Sequence, residues 1–475
     1  MPKKQRLSNG SGNQADAATT PMDGVDHNGL GENNHAYPSP LEREAPPVAI
    51  PRTDGPDQGT QVDKVEELAP ETTFLRLRDE DTASGTTPLG ASGPSGNAPV
   101  LLHCQWNPKD PSSLAAAGTD ALARVWTVTR ATGGMTNGDK PPSDHVNGAD
   151  QPCYDLVEEG THVNATTTAL AWNWDGTAIA VATDHGYKAS INIWSSGGAH
   201  LQRFEISEPP IIKLRWNPTD AAVLAVGVEN GSAVVTVFRA APSNGLSYHL
   251  RGHDLVNWPL DVAWINETDF LVCGGDVFQA LHCTSTSIVL ARNFDTRPDD
   301  NFTQVLFDWR SKLAATASDR GVLDLWDETG QRRSISAHSG AITAMEWQPL
   351  QTNPMDDERL IATGSDDCSI LIWNARMPDS KPKCFLTMES PIVALAFTPD
   401  GAFIAGATCN RVLIWKVGEH AMPRASWNRT PHPAWSSPKA NSESDEEDEH
   451  CLCWDATGQK LAYGVNSRLA VIDFR

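Results

Sequence analysis

The sequence predicts an all-β, eight-bladed β-propeller that follows a disordered N-terminal arm, and three observations lead to this fold. Aromatic anchor residues recur along the chain, most of them 40 to 50 residues apart. Residues 338–373 contain three short strands, as one propeller blade would. The 475 residues include 16 Trp and only 5 Tyr, and many of the Trp residues fall at the regular positions. Repeats of about 40 to 45 residues are typical of propeller blades.

The stretch 338–373 resembles a WD repeat. In that family a His, a Ser or Thr, an Asp and a Trp form a chain of hydrogen bonds that ties three strands together. The resemblance implies a structural tetrad whose members are His338, Thr363, Asp367 and Trp373. The physical reason does not depend on the family, because a buried carboxylate needs hydrogen-bond donors and such side chains can supply them.

One blade cannot bury both of its faces, so the unit must recur, and it does. The first-strand anchors of the eight predicted blades are Trp106, Trp172, Trp216, Trp264, Phe307, Trp347, Phe397 and Trp454. The second anchors are Trp126, Trp194, Phe238, His282, Trp326, Trp373, Trp415 and Ile472. Eight blades lie within the usual range of closed propellers.

The composition divides the chain into an arm and a ring. Residues 1–70 are rich in Gly, Pro, Asn, Asp and Ser, which predicts disorder, and residues 71–475 form the propeller. Within 71–80, the segment TFLRLR alternates apolar and charged residues, so we expect it to supply the missing fourth strand of the last blade. Loop-like compositions predict insertions near 127–160 and 416–449.

The WD-type polar residues vary between blades. Blade four contains the pair Gly252-His253, and Asp276 stands six residues before its second anchor, which suggests a second His–Asp pair. In blade five Arg320 occupies the place of the Asp. That departure puts the tetrad of blade five in doubt.

Charge and composition exclude several classes of function. The formal net charge is −23, with 60 acidic and 37 basic residues, so the surface repels nucleic acid and suits basic partners, although acidity also serves solubility alone. No apolar run is long enough to span a membrane. Nine Cys without a CxxC pair indicate reduced thiols in an intracellular protein.

No catalytic constellation is present in the sequence, and we expect no enzyme activity and no cofactor. There is no Gly-rich phosphate loop, no nucleophile elbow and no HExxH motif. Cys451 and Cys453 share one face of a strand, but two further ligands are missing nearby. We therefore interpret the pair as small buried residues and predict no metal site.

Candidate partner-binding residues lie where the chain enters each blade, six positions before the first anchor. These positions hold Val100, Thr166, Pro210, Trp258, Asn301, Ala341, Pro391 and Asp448. Trp258 is the one large aromatic, a residue type enriched in interface hot spots, so we expect it to bind a peptide. The alternative is that it packs against its own loop through Pro259.

An acidic run reaches the same face of the predicted ring. It covers Ser442 to Glu449, so Asp448 and Glu449 are candidates to hold a basic histone tail, although charge runs are usually solvated loops. Ser442 and Ser444 each precede an acidic residue by three positions. We therefore expect acidophilic phosphorylation there, which would add negative charge.

Three longer features resemble the transducin β-like corepressor subunits of histone deacetylase complexes. They are PLDVAWINETDFLVC in blade four, QPLQTNPMDDERLIATGSDD in blade six and the ending LCWDATGQKLAYG…VIDFR. The resemblance implies a nuclear scaffold that binds corepressor and deacetylase subunits. The family's N-terminal LisH helix pair has no counterpart in the pattern of residues 1–70. The main alternative is a substrate-receptor propeller of a cullin-type ubiquitin ligase.

Overall fold

The computed structural model describes fifteen segments of the chain, all within one compact unit, Arg52–Arg475. They are residues 65–68, 72–77, 100–119, 121–129, 151–158, 166–184, 186, 188–206, 208–239, 245–255, 257–349, 358–418, 422–429, 450–465 and 468–475. These segments form strands, turns and loops. They contain no helix that could cross a membrane.

The strands form eight sheets, so the predicted eight-bladed propeller is confirmed. Blades one and two are β3 (Val100–Trp106), β4 (Ser113–Thr119), β5 (Ala121–Thr127) and β6 (Cys153–Asp155), then β7 (Thr166–Trp172), β8 (Ala178–Asp184), β9 (Ala189–Ser195) and β10 (His200–Ile206). Blades three and four are β11 (Ile211–Trp216), β12 (Ala222–Glu229), β13 (Ser232–Arg239) and β14 (Leu246–Leu250), then β15 (Asp261–Trp264), β16 (Asp269–Gly274), β17 (Val277–Cys283) and β18 (Ile288–Asn293).

The second half of the ring repeats this antiparallel order. Blades five and six are β19 (Phe302–Asp308), β20 (Leu313–Ser318), β21 (Val322–Trp326) and β22 (Arg332–Ser336), then β23 (Ile342–Trp347), β24 (Leu360–Ser365), β25 (Ser369–Asn374) and β26 (Cys384–Thr387). Blades seven and eight are β27 (Ala394–Phe397), β28 (Phe403–Ala407), β29 (Arg411–Lys416) and β30 (Ala425–Asn428) with β1 (Glu66–Glu67), then β31 (His450–Trp454), β32 (Lys460–Val465) and β33 (Arg468–Asp473) with β2 (Thr72–Arg76).

The hydrophobic core consists of eight clusters of buried side chains, one between each pair of neighbouring blades. One cluster joins blade eight to blade one through Leu75, Leu101, Trp106 and Val471. A cluster at the eighth joint means that the ring is closed. Each sheet therefore buries both faces against its neighbours, which a single blade could not do.

The first strand of each blade lies innermost, where it contacts the first strands of adjacent blades. Several anchors cross these joints with the indole N–H. Trp172 Nε1 donates to Gln105 O at 3.2 Å, Trp216 Nε1 to Ala171 O at 2.9 Å. Trp454 Nε1 donates to Ala396 O at 3.0 Å. The recurring anchors thus join blades to one another as well as filling the core.

Polar side chains on the inner strands join other neighbours. Asp261 in blade four accepts from Lys213 Nζ of blade three at 2.6 Å and from Val305 N of blade five at 2.9 Å. Glu346 in blade six accepts from Phe397 N of blade seven at 2.8 Å. Burial raises the pKa of Glu346 to about 8, so this carboxyl is largely protonated at neutral pH.

The strand expected within 71–80 lies at Thr72–Arg76 and pairs antiparallel with β33. Leu75 lies opposite Leu469, and Thr72 lies opposite Ile472. Leu75 and Leu77 are buried while Arg76 is exposed, as the alternation in the sequence predicts. Strand β2 and the last strand of the chain thus share blade eight.

Three strands lie where the sequence predicted irregular chain. The arm was expected to extend to residue 70, but β1 pairs in parallel with β30, and Leu68 is buried between blades seven and eight. Strands β6 and β30 lie inside the insertions expected near 127–160 and 416–449. These strands have two to four residues, too few to show a period of two. Residues 1–64 lie outside the described residues.

Candidate functional site

The structure brings the predicted tetrad of blade six together. His338 Nε2 lies 2.8 Å from Thr363 Oγ1, and His338 Nδ1 lies 3.2 Å from Asp367. Ser369 Oγ donates to Asp367 at 2.5 Å and Ser339 N donates at 3.0 Å. Burial opposes ionisation of Asp367, but these hydrogen bonds and His338 lower its pKa to about 2. The carboxylate is therefore ionised and satisfied, as a structural role requires.

The fourth member of that tetrad is not linked, which corrects the expectation of a complete chain. Trp373 Nε1 is buried and has no hydrogen-bond partner among the described residues. The Trp–Thr link exists instead in blade five, where Trp326 Nε1 donates to Thr316 Oγ1 at 3.0 Å. In blade six the Thr363 hydroxyl lies against His338 and the carbonyl of Leu371.

In blade four the equivalent histidine, His253, has a different partner. The prediction of a second His–Asp pair, between His253 and Asp276, is therefore wrong. His253 Nε2 donates to the carbonyl oxygen of Trp258 at 3.0 Å, and because a carbonyl can only accept, Nε2 carries the proton. His282 pairs with Asp269 at 2.7 Å. Asp276 is exposed, and its carboxylate has no hydrogen bond within the described segments.

A missing hydroxyl explains this difference. Thr363 lies opposite Met345, two residues before the first anchor of blade six. The equivalent pair in blade four is Val272 opposite Val262. Val272 is fully buried, and its side chain cannot form a hydrogen bond. His253 therefore donates to the backbone of the segment that enters the blade.

Trp258 lies on that entering segment, as predicted, and its indole is exposed. Trp258 N donates to Asp254 O at 2.9 Å, and the His253 bond holds its carbonyl. The ring lies over Gly275, where an added Cβ would meet the indole at 3.4 Å. The side chain remains 42% exposed, so packing against Pro259 does not cover it.

The exposed indole forms one wall of a pocket of about 680 Å³ between blades three and four. Strand β14 and the turn after it supply Tyr248, His249 and Arg251, while Asp276 and Gln279 come from blade four. Gln279 Oε1 is buried and has no hydrogen-bond donor among the residues that the structure describes. The pocket therefore offers an aromatic face together with an exposed carboxylate and a guanidinium.

This set of groups suits a polar segment of another protein. The exposed Asp276 carboxylate can accept from an N–H that a peptide backbone or a basic side chain supplies. A half-exposed indole contributes apolar contact area at little conformational cost. The pocket contains charged groups of both signs, since Arg251 and Asp276 are exposed there.

Sequence reasoning found Trp258 but missed most of its surroundings. Tyr248 and Gln279 belong to different blades, and they share a pocket because β14 of blade three lies beside β18 of blade four. No local pattern reports such a contact between blades. Of the other predicted residues, Asp448, Glu449, Ser442 and Ser444 lie outside the described residues.

The cysteine pair belongs to a cluster of three thiols at the joint of blades eight and one. Cys104 Sγ lies 3.6 Å from Cys453 Sγ, and Cys451 Sγ donates to Leu102 O at 3.3 Å. Hydrogen bonding to Cys451 and Cys453, together with burial, raises the pKa of Cys104 well above its usual range. Protonated thiols are poor metal ligands, and among the described residues no group of three or more His, Cys, Asp or Glu side chains is arranged to hold a metal ion.

Known proteins share this architecture. Residues 330–374 and 382–416 match the family described as WD domain, G-beta repeat. The first of these ranges covers the outer strand of blade five and the first three strands of blade six. The crystal structure of the C-terminal WD40 domain of Sif2 superposes with a TM-score of 0.59 over 80% of this chain and 100% of that domain, at 18% identity, which bears on the fold alone.

Two curated proteins are similar in sequence over part of the chain. The SIR4-interacting protein SIF2 of Saccharomyces cerevisiae is 21% identical over 386 residues, which cover 76% of this chain and 68% of SIF2. The F-box-like/WD repeat-containing protein TBL1X of Mus musculus is 27% identical over 187 residues. That match covers 38% of this chain and 31% of TBL1X.

Proposed function

We propose that this chain, a WD-repeat β-propeller that resembles the transducin β-like corepressor subunits, is a non-catalytic scaffold of a nuclear chromatin complex. Its partners are corepressor and histone deacetylase subunits, and it contacts neither nucleic acid nor membranes directly. The similarity to TBL1X and SIF2 supports the class of complex. The net charge of −23 supports protein partners over nucleic acid.

One observation carries the proposal, namely the pocket around Trp258. A ring that served only as a structural spacer would gain by covering a large indole, yet Trp258 is 42% exposed in the wall of the pocket. The Gly275 backbone beneath the ring and the His253 hydrogen bond hold the indole in place before a partner arrives. Such preorganisation lowers the entropy cost of binding.

Affinity purification of the tagged full-length chain from nuclei, followed by mass spectrometry, tests the proposal. We expect the wild-type chain to recover deacetylase and corepressor subunits. With Trp258→Ala, the amount recovered of the subunit that binds the Trp258 pocket should fall about tenfold. Phe385→Ala is the matched control, because Phe385 is 57% exposed on the outer strand of blade six, far from the pocket.

Three other outcomes would contradict parts of the proposal. Recovery of a cullin and its adaptor in place of deacetylase subunits would favour a ubiquitin-ligase receptor. Equal recovery with Trp258→Ala would remove the pocket from partner binding while leaving the class of complex intact. A loss of the partner with Phe385→Ala as well would mean that the effect of Trp258→Ala is not specific to the pocket.

A second interaction belongs to the acidic segment that contains Asp448 and Glu449. We propose that it holds basic histone tails and that phosphorylation of Ser442 and Ser444 strengthens this contact by adding charge. Peptides of an H3 tail should bind the wild-type chain more weakly after Asp448→Asn and Glu449→Gln are introduced together. Equal binding, or unmodified serines in growing cells, would reject the respective claim.

A further inference from the structure

A second exposed aromatic feature lies on the opposite face of the ring. Trp258 precedes the first strand of its blade, whereas Trp174 and Trp309 follow the first strands of blades two and five. The two indoles meet, with ring centroids 5.1 Å apart and planes tilted by 55°. They remain 49% and 40% exposed. A pair of half-exposed Trp residues is a larger apolar patch than single surface residues make.

Hydrogen bonds fix the pair above blades three and four. Trp174 Nε1 donates to Trp216 O at 3.4 Å, and Trp309 Nε1 donates to Trp264 O at 3.3 Å. The Asp220 carboxylate of blade three accepts from Trp174 N at 2.8 Å and from Asp175 N at 3.2 Å. With their N–H groups used, the two indoles present apolar ring surface to solvent.

The turns around the pair are mainly acidic. Asp175, Asp220 and Glu267 lie in the turns of blades two, three and four. Hydrogen bonds from Thr177 hold the pKa of Asp175 below its ordinary value, so this exposed carboxylate is ionised at neutral pH. Arg310 and Lys312, both exposed in the turn of blade five, are the opposing charges near Trp309. Aromatic faces bordered by carboxylates favour a cation over an anion or an uncharged apolar segment.

We propose that the Trp174–Trp309 surface is a second docking site, which binds a Lys- or Arg-bearing segment of a partner protein. The cationic side chain stacks on the exposed indoles, and Asp175 and Glu267 complement its charge. The site is independent of the Trp258 pocket, because the two lie at opposite ends of the inner strands. The ring would thus hold two partners at once.

Fluorescence anisotropy of a labelled peptide of alternating Gly and Arg, titrated with the full-length chain at about 150 mM salt, tests this site. We expect Trp174→Ala combined with Trp309→Ala to raise Kd about tenfold, since two cation–π contacts are lost. Asp175→Asn should raise Kd about threefold. Phe385→Ala, on the outer strand of blade six, should leave Kd unchanged, and a peptide with Gln in place of Arg should not bind the wild-type chain.

Several results would overturn the proposal. One is an unchanged Kd in the double variant, which would mean that the peptide binds the acidic surface without the indoles. A second is a self-associating wild-type chain that becomes monomeric in the double variant by analytical ultracentrifugation, because the surface would then belong to a second copy. If the double variant melts early, Trp309→Lys replaces it, and an unchanged Kd there also contradicts the proposal.

Discussion

Blades four and six each have a histidine between the outer strand of the preceding blade and their own first strand, and the two histidines have different roles. His338 is enclosed between Thr363 and Asp367 and ties the strands of blade six together. His253 instead holds the carbonyl of Trp258, and the Asp276 carboxylate stays exposed. The difference teaches that when a blade loses its internal hydroxyl, its polar groups become available at the surface for a partner.

The largest expected effect comes from removing each histidine. His338→Ala leaves the Thr363 hydroxyl and Asp367 without their central partner and should cost about 3 kcal/mol of the free energy of unfolding. His253→Ala loses one hydrogen bond and should cost about 1 kcal/mol. Thermal melting followed by circular dichroism compares them. Equal decreases in Tm would mean that the two blades do not differ as described.

The two acidic residues give the next contrast. Asp367→Asn replaces an ionised acceptor of several hydrogen bonds and should cost about 2 kcal/mol. Asp276→Asn changes an exposed carboxylate and should leave Tm within about 1 °C, while weakening binding at the Trp258 pocket. A clear decrease in Tm with Asp276→Asn would indicate a structural role for this side chain.

A smaller effect is expected from a substitution at Gly275, which lies beneath the Trp258 indole. Gly275 has a φ of +57°, so Gly275→Ala should cost about 1 kcal/mol of stability through backbone strain. The added methyl also presses against Trp258. Partner affinity should therefore fall as well. Gly418→Ala is the control, because Gly418 has a φ of +83° with nothing near its Cβ. Unequal effects on binding would confirm the contact beneath the indole.

The smallest expected effect is on pH dependence. Burial lowers the pKa of His338 below 6.5 in the folded state, partly offset by Asp367. As the pH falls below 6.5, the unfolded chain takes up a proton that the folded blade does not, so stability decreases. His338→Gln should therefore lose less Tm between pH 7 and pH 5 than the wild-type chain. His103, whose pKa burial lowers to about 4, retains the same dependence in both proteins.

The sequence predicted the ring well because its elements repeat and its anchors must be buried. Trp172 and Trp216 could be placed at the ends of inner strands from spacing alone. The outer strand Cys153–Asp155 could not, since three polar residues beside a loop carry no periodic signal. Such an outer strand forms because it pairs with a blade that is already in place. Its own composition does not predict it.

The candidate site was predictable only in part. Trp258 could be found because its position in the repeat is fixed and its residue type is unusual there. The roles of His253 and Gln279 depend on Val272 and on the neighbouring strand β14, which become adjacent only after folding. Whether Trp373 Nε1 has a hydrogen-bond partner depends on the positions of the neighbouring acceptors, which residue identity alone does not determine.

Amide hydrogen exchange on the full-length chain, alone and in the purified complex, tests the central claim most directly. The account predicts that the partner slows exchange at residues 247–253, 258, 275–277 and 279, which line the Trp258 pocket, and leaves residues 360–374 of blade six unchanged. Slower exchange in blade six, with no change around Trp258, would contradict it.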